Sequence, residues 1–168
     1  KTRIQGLQNE ILEAIATGMP LETVARLLCL RAEALAPTVI CSILAVDRTG
    51  CLRHVAAPSL PREYSRAIDG LVIGPGTGSC GTAAYRGEHV EVTDISTDPL
   101  WAPFAALALP LGLMACWSSP IKSRDGKVLA TFAFYYRTKR GPSDLERLIV
   151  EACVHLCTIA IEQDEIQK

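Results

Sequence analysis

The stretch Gly74-Pro-Gly-Thr-Gly-Ser-Cys-Gly-Thr-Ala-Ala-Tyr-Arg-Gly-Glu88, GPGTGSCGTAAYRGE, decides how the rest of the chain is read. Gly76, Gly78 and Gly81 match G-x-G-x-x-G. That turn seats a dinucleotide only when it follows a strand, opens a full helix and precedes a parallel strand with an acid about 20 residues on. The frame is missing. Leu71–Ile73 is brief and cut off by Pro75, and the helix expected from Ser79 to about Arg86 is halted by Gly87. No Gly-Lys-Ser/Thr follows, which excludes a phosphate loop. The glycines are expected instead to turn the backbone tightly into a short helix beside a pocket.

Working outward, Ile4, Leu7, Ile11 and Ile15 recur at helical spacing over 3–16, and Gly18 marks a stop. Pro20 suits the first turn of a second helix that must finish before Pro37. TVICSILAVD (38–47) and CLRHVAA (51–57) read as a hairpin around Asp47–Gly50. Ser59–Asp69 reads as a short helix, HVEVTD (89–94) as a strand, and Thr97-Asp98-Pro99 as the start of another short helix. MACWSSPIKS (114–123) and KVLATFAFYYR (127–137) form a second hairpin around Arg124-Asp125-Gly126. A long helix over 143–166 opens with the capping box Ser143-x-x-Glu146. The sum is α+β, an antiparallel sheet with helices at both ends of the chain. In the first strand Ile40, Leu44 and Val46 share one face and Val39, Cys41, Ile43 and Ala45 the other. Both faces are apolar, so both are covered.

The 168 residues suffice for one well-filled core. A net charge of −1 with no basic block points away from nucleic acid, and no apolar run approaches the roughly 20 residues of a membrane span. The cysteines number seven, an odd count without Cys-x-x-Cys, mostly in apolar runs. A reduced, cytoplasmic protein is expected. His54, His89 and His155 lie on separate elements without paired ligand spacing, so no metal site is expected and no cofactor is assigned.

The order of these pieces resembles a GAF domain, the small-molecule sensor module of cyclic-nucleotide phosphodiesterases, phytochromes and many bacterial signalling proteins. The resemblance covers nearly all of 1–168, taken as a single domain. It is most specific in IGPGTGSCGTAAYRGEHVEVTDISTDPLW (73–101), GLMACWSSPI (112–121) and DGKVLATFAFYYR (125–137). Related modules often carry arginine where Met114 stands, so any charge it would bring is absent. The resemblance implies a central antiparallel sheet with the terminal helices on one face and a ligand pocket on the other. It implies terminal helices that pair between subunits and continue into a covalently linked output domain, such as a histidine kinase or the enzymes of cyclic-di-GMP signalling. The residues add Leu145, Ile149, Ala152, Leu156 and Ile159, spaced by three and four, as a seam, with Ile4, Leu7 and Ile11 as its match. The same rhythm also suits a helix that only covers its own sheet.

Ile40, Leu44, Trp101, Leu109, Cys116, Ser118 and Tyr135 are the expected pocket walls, with the backbone from Gly76 through Gly78 to Cys80 at the mouth. The set has no charged residue, so an anion would depend on backbone N–H groups. Cys80 sits in the first turn of its helix, where N–H groups and the dipole lower a thiol pKa. It is therefore either a redox-sensing thiol, meeting Cys116 if strand and loop converge, or a small residue packed on the sheet. Free methionine-(R)-sulfoxide reductases are GAF enzymes with a cysteine matching Cys80. Their further loop cysteines have no counterpart in 94–112, and their substrate-gripping carboxylates fall near Cys116, Ala133 and Tyr135. The expected function is a non-catalytic sensor or regulatory module of a larger signalling protein.

Overall fold

A computed structural model describes residues 2–167; Lys1 and Lys168, the limits of the expected domain, lie outside them. The helical elements are α1 (Thr2–Ala16), α2 (Leu21–Leu35), α3 (Arg62–Ile68), α4 (Gly78–Arg86), α5 (Ala105–Ala108) and α6 (Asp144–Gln167). The strands are β1 (Val39–Val46), β2 (Leu52–Ala56), β3 (Val90–Val92), β4 (Ala115–Lys122) and β5 (Val128–Tyr136). They form one sheet in the order β2-β1-β5-β4-β3, with every neighbouring pair antiparallel.

The strands alternate as the first one predicts, and each face carries its own core. Val39, Cys41, Ile43, Phe132, Phe134, Tyr136, Ala115 and Trp117 meet the helices of one layer. There α2 lies on β1 and β2, α6 lies on β4 and β5, and α1 packs against both helices. Ile40, Leu44, Ala133, Tyr135 and Cys116 face the other way, under α3, α4 and the segment 94–113. Central strands buried on both faces read as nearly continuous apolar runs, which is why β1 and β5 show little polar alternation.

The expected capping box forms. Glu146 donates its backbone N–H to Ser143 Oγ at 3.1 Å, and its own Oε1 accepts from the Ser143 N–H at 3.0 Å. The same carboxylate accepts from Tyr136 Oη at 3.0 Å and pairs with Arg140, so the start of α6 is tied to the end of β5.

The intersubunit seam needs correcting. Leu7, Ile11, Ile149, Ala152 and Leu156 are buried in the chain's own helix-side core, and Ile4 and Ile159 pack against it. Of the expected seam residues Leu145 stands exposed, joined by Leu148 one turn on. The rhythm of three and four records α6 lying on its sheet and against α1 and α2. Such packing requires the same spacing as a coiled coil.

Candidate functional site

The glycine stretch enters α4 from a tight turn over Gly74–Thr77. Thr77 Oγ1 accepts from the Gly74 N–H at 3.1 Å and donates to the Gly74 carbonyl at 2.9 Å. A Cβ at Gly81 would collide with the Thr77 side chain, which leaves hydrogen as the substituent that fits there. Gly78 has φ +69°, a left-handed conformation that suits glycine, and the Trp101 ring lies 3.6 Å from where its Cβ would be. The glycines thus serve a close approach between a helix start and an indole.

That approach lets α4 press its first turn onto β4. Trp101 Nε1 donates to Ser79 Oγ at 3.0 Å, and Ser79 Oγ donates to the Cys116 carbonyl at 3.1 Å. A relay thus runs from a roof residue through α4 to the sheet, with all three residues buried. Trp101 meets Phe104 and Tyr135 edge to face, each at 6.5 Å between ring centres. Tyr135 makes a second edge contact with Tyr64 at 5.6 Å, and their hydroxyls are 3.2 Å apart.

Cys80 points from α4 at this floor. Its Sγ is 3.9 Å from Tyr135 Oη and faces the Cys116 thiol. Hydrogen bonding from Cys116 outweighs burial, and with help from Ser118, Tyr135 and Thr131 brings the Cys80 thiol down to about 7. Burial and the neighbouring Cys80 push Cys116 well up, and burial raises Tyr64 and Tyr135 likewise. The expected cause, a helix N-terminus, gives way to donors on β4 and β5. The strand and the loop do converge.

The expected pocket residues therefore gather, but around very little space. The cavity holds about 20 Å3, room for about one water molecule. Leu44, Gly78, Cys80, Trp101 and Tyr135 line it. Ile40, Cys116 and Ser118 belong to the surrounding floor, Leu109 packs against the cluster from outside, and Gly76 lies in the turn beyond the mouth. Sequence reasoning missed Tyr64, Ile68 and Leu52 among the walls. The spacing of four through Leu60, Tyr64 and Ile68 was the signal for the two on α3. It also missed polar floor residues. Ser42, Thr131 and Ser118 have buried hydroxyls without a hydrogen-bond partner, as does Thr82 on α4. Ser42 and Thr131 interrupt apolar strands on the face of Leu44 and Tyr135, which the alternation already marks.

Other clefts differ in kind. One of about 530 Å3 opens between α2, the ends of β1 and β5, and the last turns of α6, with Asp47, Arg48, Lys127 and Glu165 at its rim. Another of similar volume lies along β2 beside Arg26, Arg62 and Arg66. Both are wide grooves, and the unpartnered hydroxyls line neither of them nor the small cavity itself, being buried around it. Among the described residues no cluster of His, Cys, Asp or Glu could hold a metal, and His89 is engaged by Ser119 Oγ at 2.7 Å. No helix among them is long and apolar enough to cross a membrane.

Comparison with known proteins agrees with this architecture. The chain is 39% identical over 156 residues to a methyl sulfide methyltransferase-associated sensor of Methanosarcina acetivorans, covering 92% of this chain and 16% of that longer protein. Its fold matches that of a GAF sensor protein from Burkholderia vietnamiensis with a TM-score of 0.76 at 16% identity, over 98% of this chain and 97% of that one. The free methionine-R-sulfoxide reductase of Neisseria meningitidis, solved with its substrate, also superposes with a TM-score of 0.76, at 14% identity over 98% and 92% of the two chains. At such identities the likeness is one of fold alone. Residues 18–162 match the GAF domain family over most of the chain, and with the antiparallel sheet, its two cores and the α4 chamber this establishes that the chain belongs to the GAF domain family.

Proposed function

We propose that this chain is a non-catalytic sensing module of a longer signalling protein, and that its chamber under α4 admits a small, uncharged, hydrogen-bonding ligand. The observation that carries the reading is the set of buried hydroxyls on Ser42, Thr82, Ser118 and Thr131 with no partner. Each unmet hydroxyl costs about 1–3 kcal/mol, and a ligand that pairs with it recovers that cost. No Asp, Glu, Lys, Arg or His lines the chamber, so a charged ligand there would find no acidic or basic side chain to pair with. The roof is made of short pieces, α3, α5 and the turns around Pro99–Trp101 and Leu109–Leu111, which open more readily than a long helix. Cys116, Ala133 and Tyr135 offer no carboxylate to a methionine sulfoxide amine, which supports the non-catalytic reading. The kinship to a sensor protein several times longer supports a module linked to other domains.

The module pairs with a second copy through the outward side of α6, where Leu145 and Leu148 are half exposed at 51% and 53%. That revised seam replaces the buried stripe.

A thermal-shift panel of small neutral hydrogen-bonding compounds tests the ligand. At 100 times its Kd a binder stabilises by about 2.7 kcal/mol, or roughly 5–10 °C for a domain of this size. Compounds that shift the parent and fail to shift Ser118→Val support the chamber. A panel that shifts neither protein, or both equally, refutes it.

A further inference from the structure

Six of the seven cysteines fall into two buried groups, one on each side of the sheet, and the groups differ in their surroundings. Cys29, Cys41, Cys153 and Cys157 sit in the helix-side core among aliphatic and aromatic side chains. Burial raises Cys41, Cys153 and Cys157, so those thiols hold their protons. Cys80 and Cys116 sit on the chamber side, face to face, beneath the two tyrosines and beside the hydroxyls of Ser118 and Thr131.

The backbones that carry this pair are already clamped together. Ser79, next to Cys80, bonds the carbonyl of Cys116 itself at 3.1 Å. A disulfide asks for side chains that face each other, and Cys80 Sγ lies 3.9 Å from the hydroxyl of Tyr135, the cross-strand partner of Cys116, so both thiols stand at the same tyrosine. The hydroxyls of Ser118 and Thr131 have no other hydrogen-bond partner and lower the Cys80 thiol, so each has a proton to donate to its thiolate. Anion and orphaned donors satisfy one another. The chamber's roughly 20 Å3, room for about one water, excludes a peptide disulfide and leaves the pair to an oxidant of a few atoms.

We propose that Cys80 and Cys116 are an oxidation site for hydrogen peroxide, closing to an intramolecular disulfide between α4 and β4. The Cys80 thiolate attacks one peroxide oxygen and the O–O bond breaks. Cys80 becomes a sulfenic acid, and the departing hydroxide takes a proton to leave as water. The Cys116 sulfur then attacks the sulfenic sulfur, the S–O bond breaks, and the thiol proton leaves with the oxygen as a second water. Two thiols and one peroxide thus give one disulfide and two waters, with two electrons passing from the sulfurs to oxygen. Closing the bond draws the first turn of α4 onto β4 and shifts the Ser79–Trp101 relay. The inference rests on the thiol pair and stands whether or not the chamber takes a ligand.

With a pKa of about 7, half of Cys80 is ionised at neutral pH. Against roughly 1% for an ordinary thiol of pKa 9, and allowing for the weaker nucleophilicity of a more acidic thiol, the gain in rate is about five-fold.

The test treats the reduced protein with hydrogen peroxide in native buffer at pH 7, then alkylates it in denaturant. The expected result is an intact mass lower by two hydrogens before alkylation, five of the seven thiols alkylated, and a Cys80–Cys116 cross-linked peptide. The rate should rise with a midpoint near pH 7. Cys116→Ser should accumulate a Cys80 sulfenic acid that dimedone traps. Seven free thiols after treatment, a disulfide within the helix-side group, or a Cys80 oxidised in the parent without joining Cys116 would each overturn the proposal.

Discussion

Ser79→Ala is the sharpest perturbation of the relay beneath the roof. The side chain is buried, accepts from Trp101 Nε1 at 3.0 Å and donates to the Cys116 carbonyl at 3.1 Å. Alanine removes both bonds without adding volume. The indole N–H is a donor only, and Ser79 Oγ is the acceptor it uses. Stranding it costs about 1–3 kcal/mol, and losing the bond to the carbonyl adds about 1 kcal/mol. The expected destabilisation is therefore about 2–4 kcal/mol, a fall in Tm of roughly 6–12 °C for a domain of this length. Thr131→Val supplies the internal contrast in the same chamber, since its hydroxyl has no partner to lose. Its near-isosteric replacement is expected to stabilise by about 1 kcal/mol. Urea denaturation of both variants at pH 6, where Cys80 keeps its proton, is the assay. A Ser79→Ala change within about 0.5 kcal/mol of the parent, or a Thr131→Val loss as large as that of Ser79→Ala, would refute the hydrogen-bond assignment.

Three further outcomes follow from named contacts. Glu146→Ala removes the acceptor of Tyr136, Arg140 and the Ser143 N–H at once, and should cost about 3 kcal/mol by urea titration, more than an ordinary cap. Leu148→Glu should leave the monomer's stability within about 0.5 kcal/mol while abolishing self-association in sedimentation, whereas Leu156→Glu should unfold the chain; a monomeric parent ends the pairing proposal. The folded-state pKa of Cys80 is depressed from 9.0 to about 7, so its contribution is present above the unfolded value and lost as pH falls through about 7. Stability measured from pH 7 to 9 should accordingly rise, and rise less in Thr131→Val.

The fold was legible because its signals are local. The two-faced alternation of β1 divides Ile40 and Leu44 from Cys41 and Ile43 as the two cores do, and Ser143 and Glu146 start α6 where three-residue spacing puts them. The glycine match was legible as an absence of the frame a dinucleotide needs. The seam was not. A stripe such as Ile149, Ala152 and Leu156 has the same period whether it meets a second helix or its own sheet, and only packing separates the two. The place of Cys80 in its helix left an acidic thiol and a packing residue both open, and the donors that lower it come from residues 116, 118, 131 and 135 on two strands. Sequence spacing carries no information about such a meeting. The size of the chamber was hidden as well, because Tyr64, Trp101 and Phe104 fill it through long-range packing.

The strands that floor the chamber also anchor the helices behind it, residue by residue. On β5, Tyr135 faces Cys80 and Tyr64, while the next residue, Tyr136, bonds the Glu146 carboxylate that caps α6. On β4, Cys116 lies under Cys80, while Trp117 carries the Arg147 guanidinium of α6 over its ring at 5.4 Å. Adjacent strand residues point to opposite faces but share a peptide plane, so neither can move far without the other. A displacement at Tyr135 and Cys116, whether from a ligand or a disulfide, therefore reaches the first two turns of α6 through one residue on each strand. Those turns also hold Leu145 and Leu148, the exposed apolar pair. The chamber and the outward face of α6 stand on opposite sides of the sheet, yet two short rigid steps join them, the connection through which a shift at the chamber would have to act on the helix.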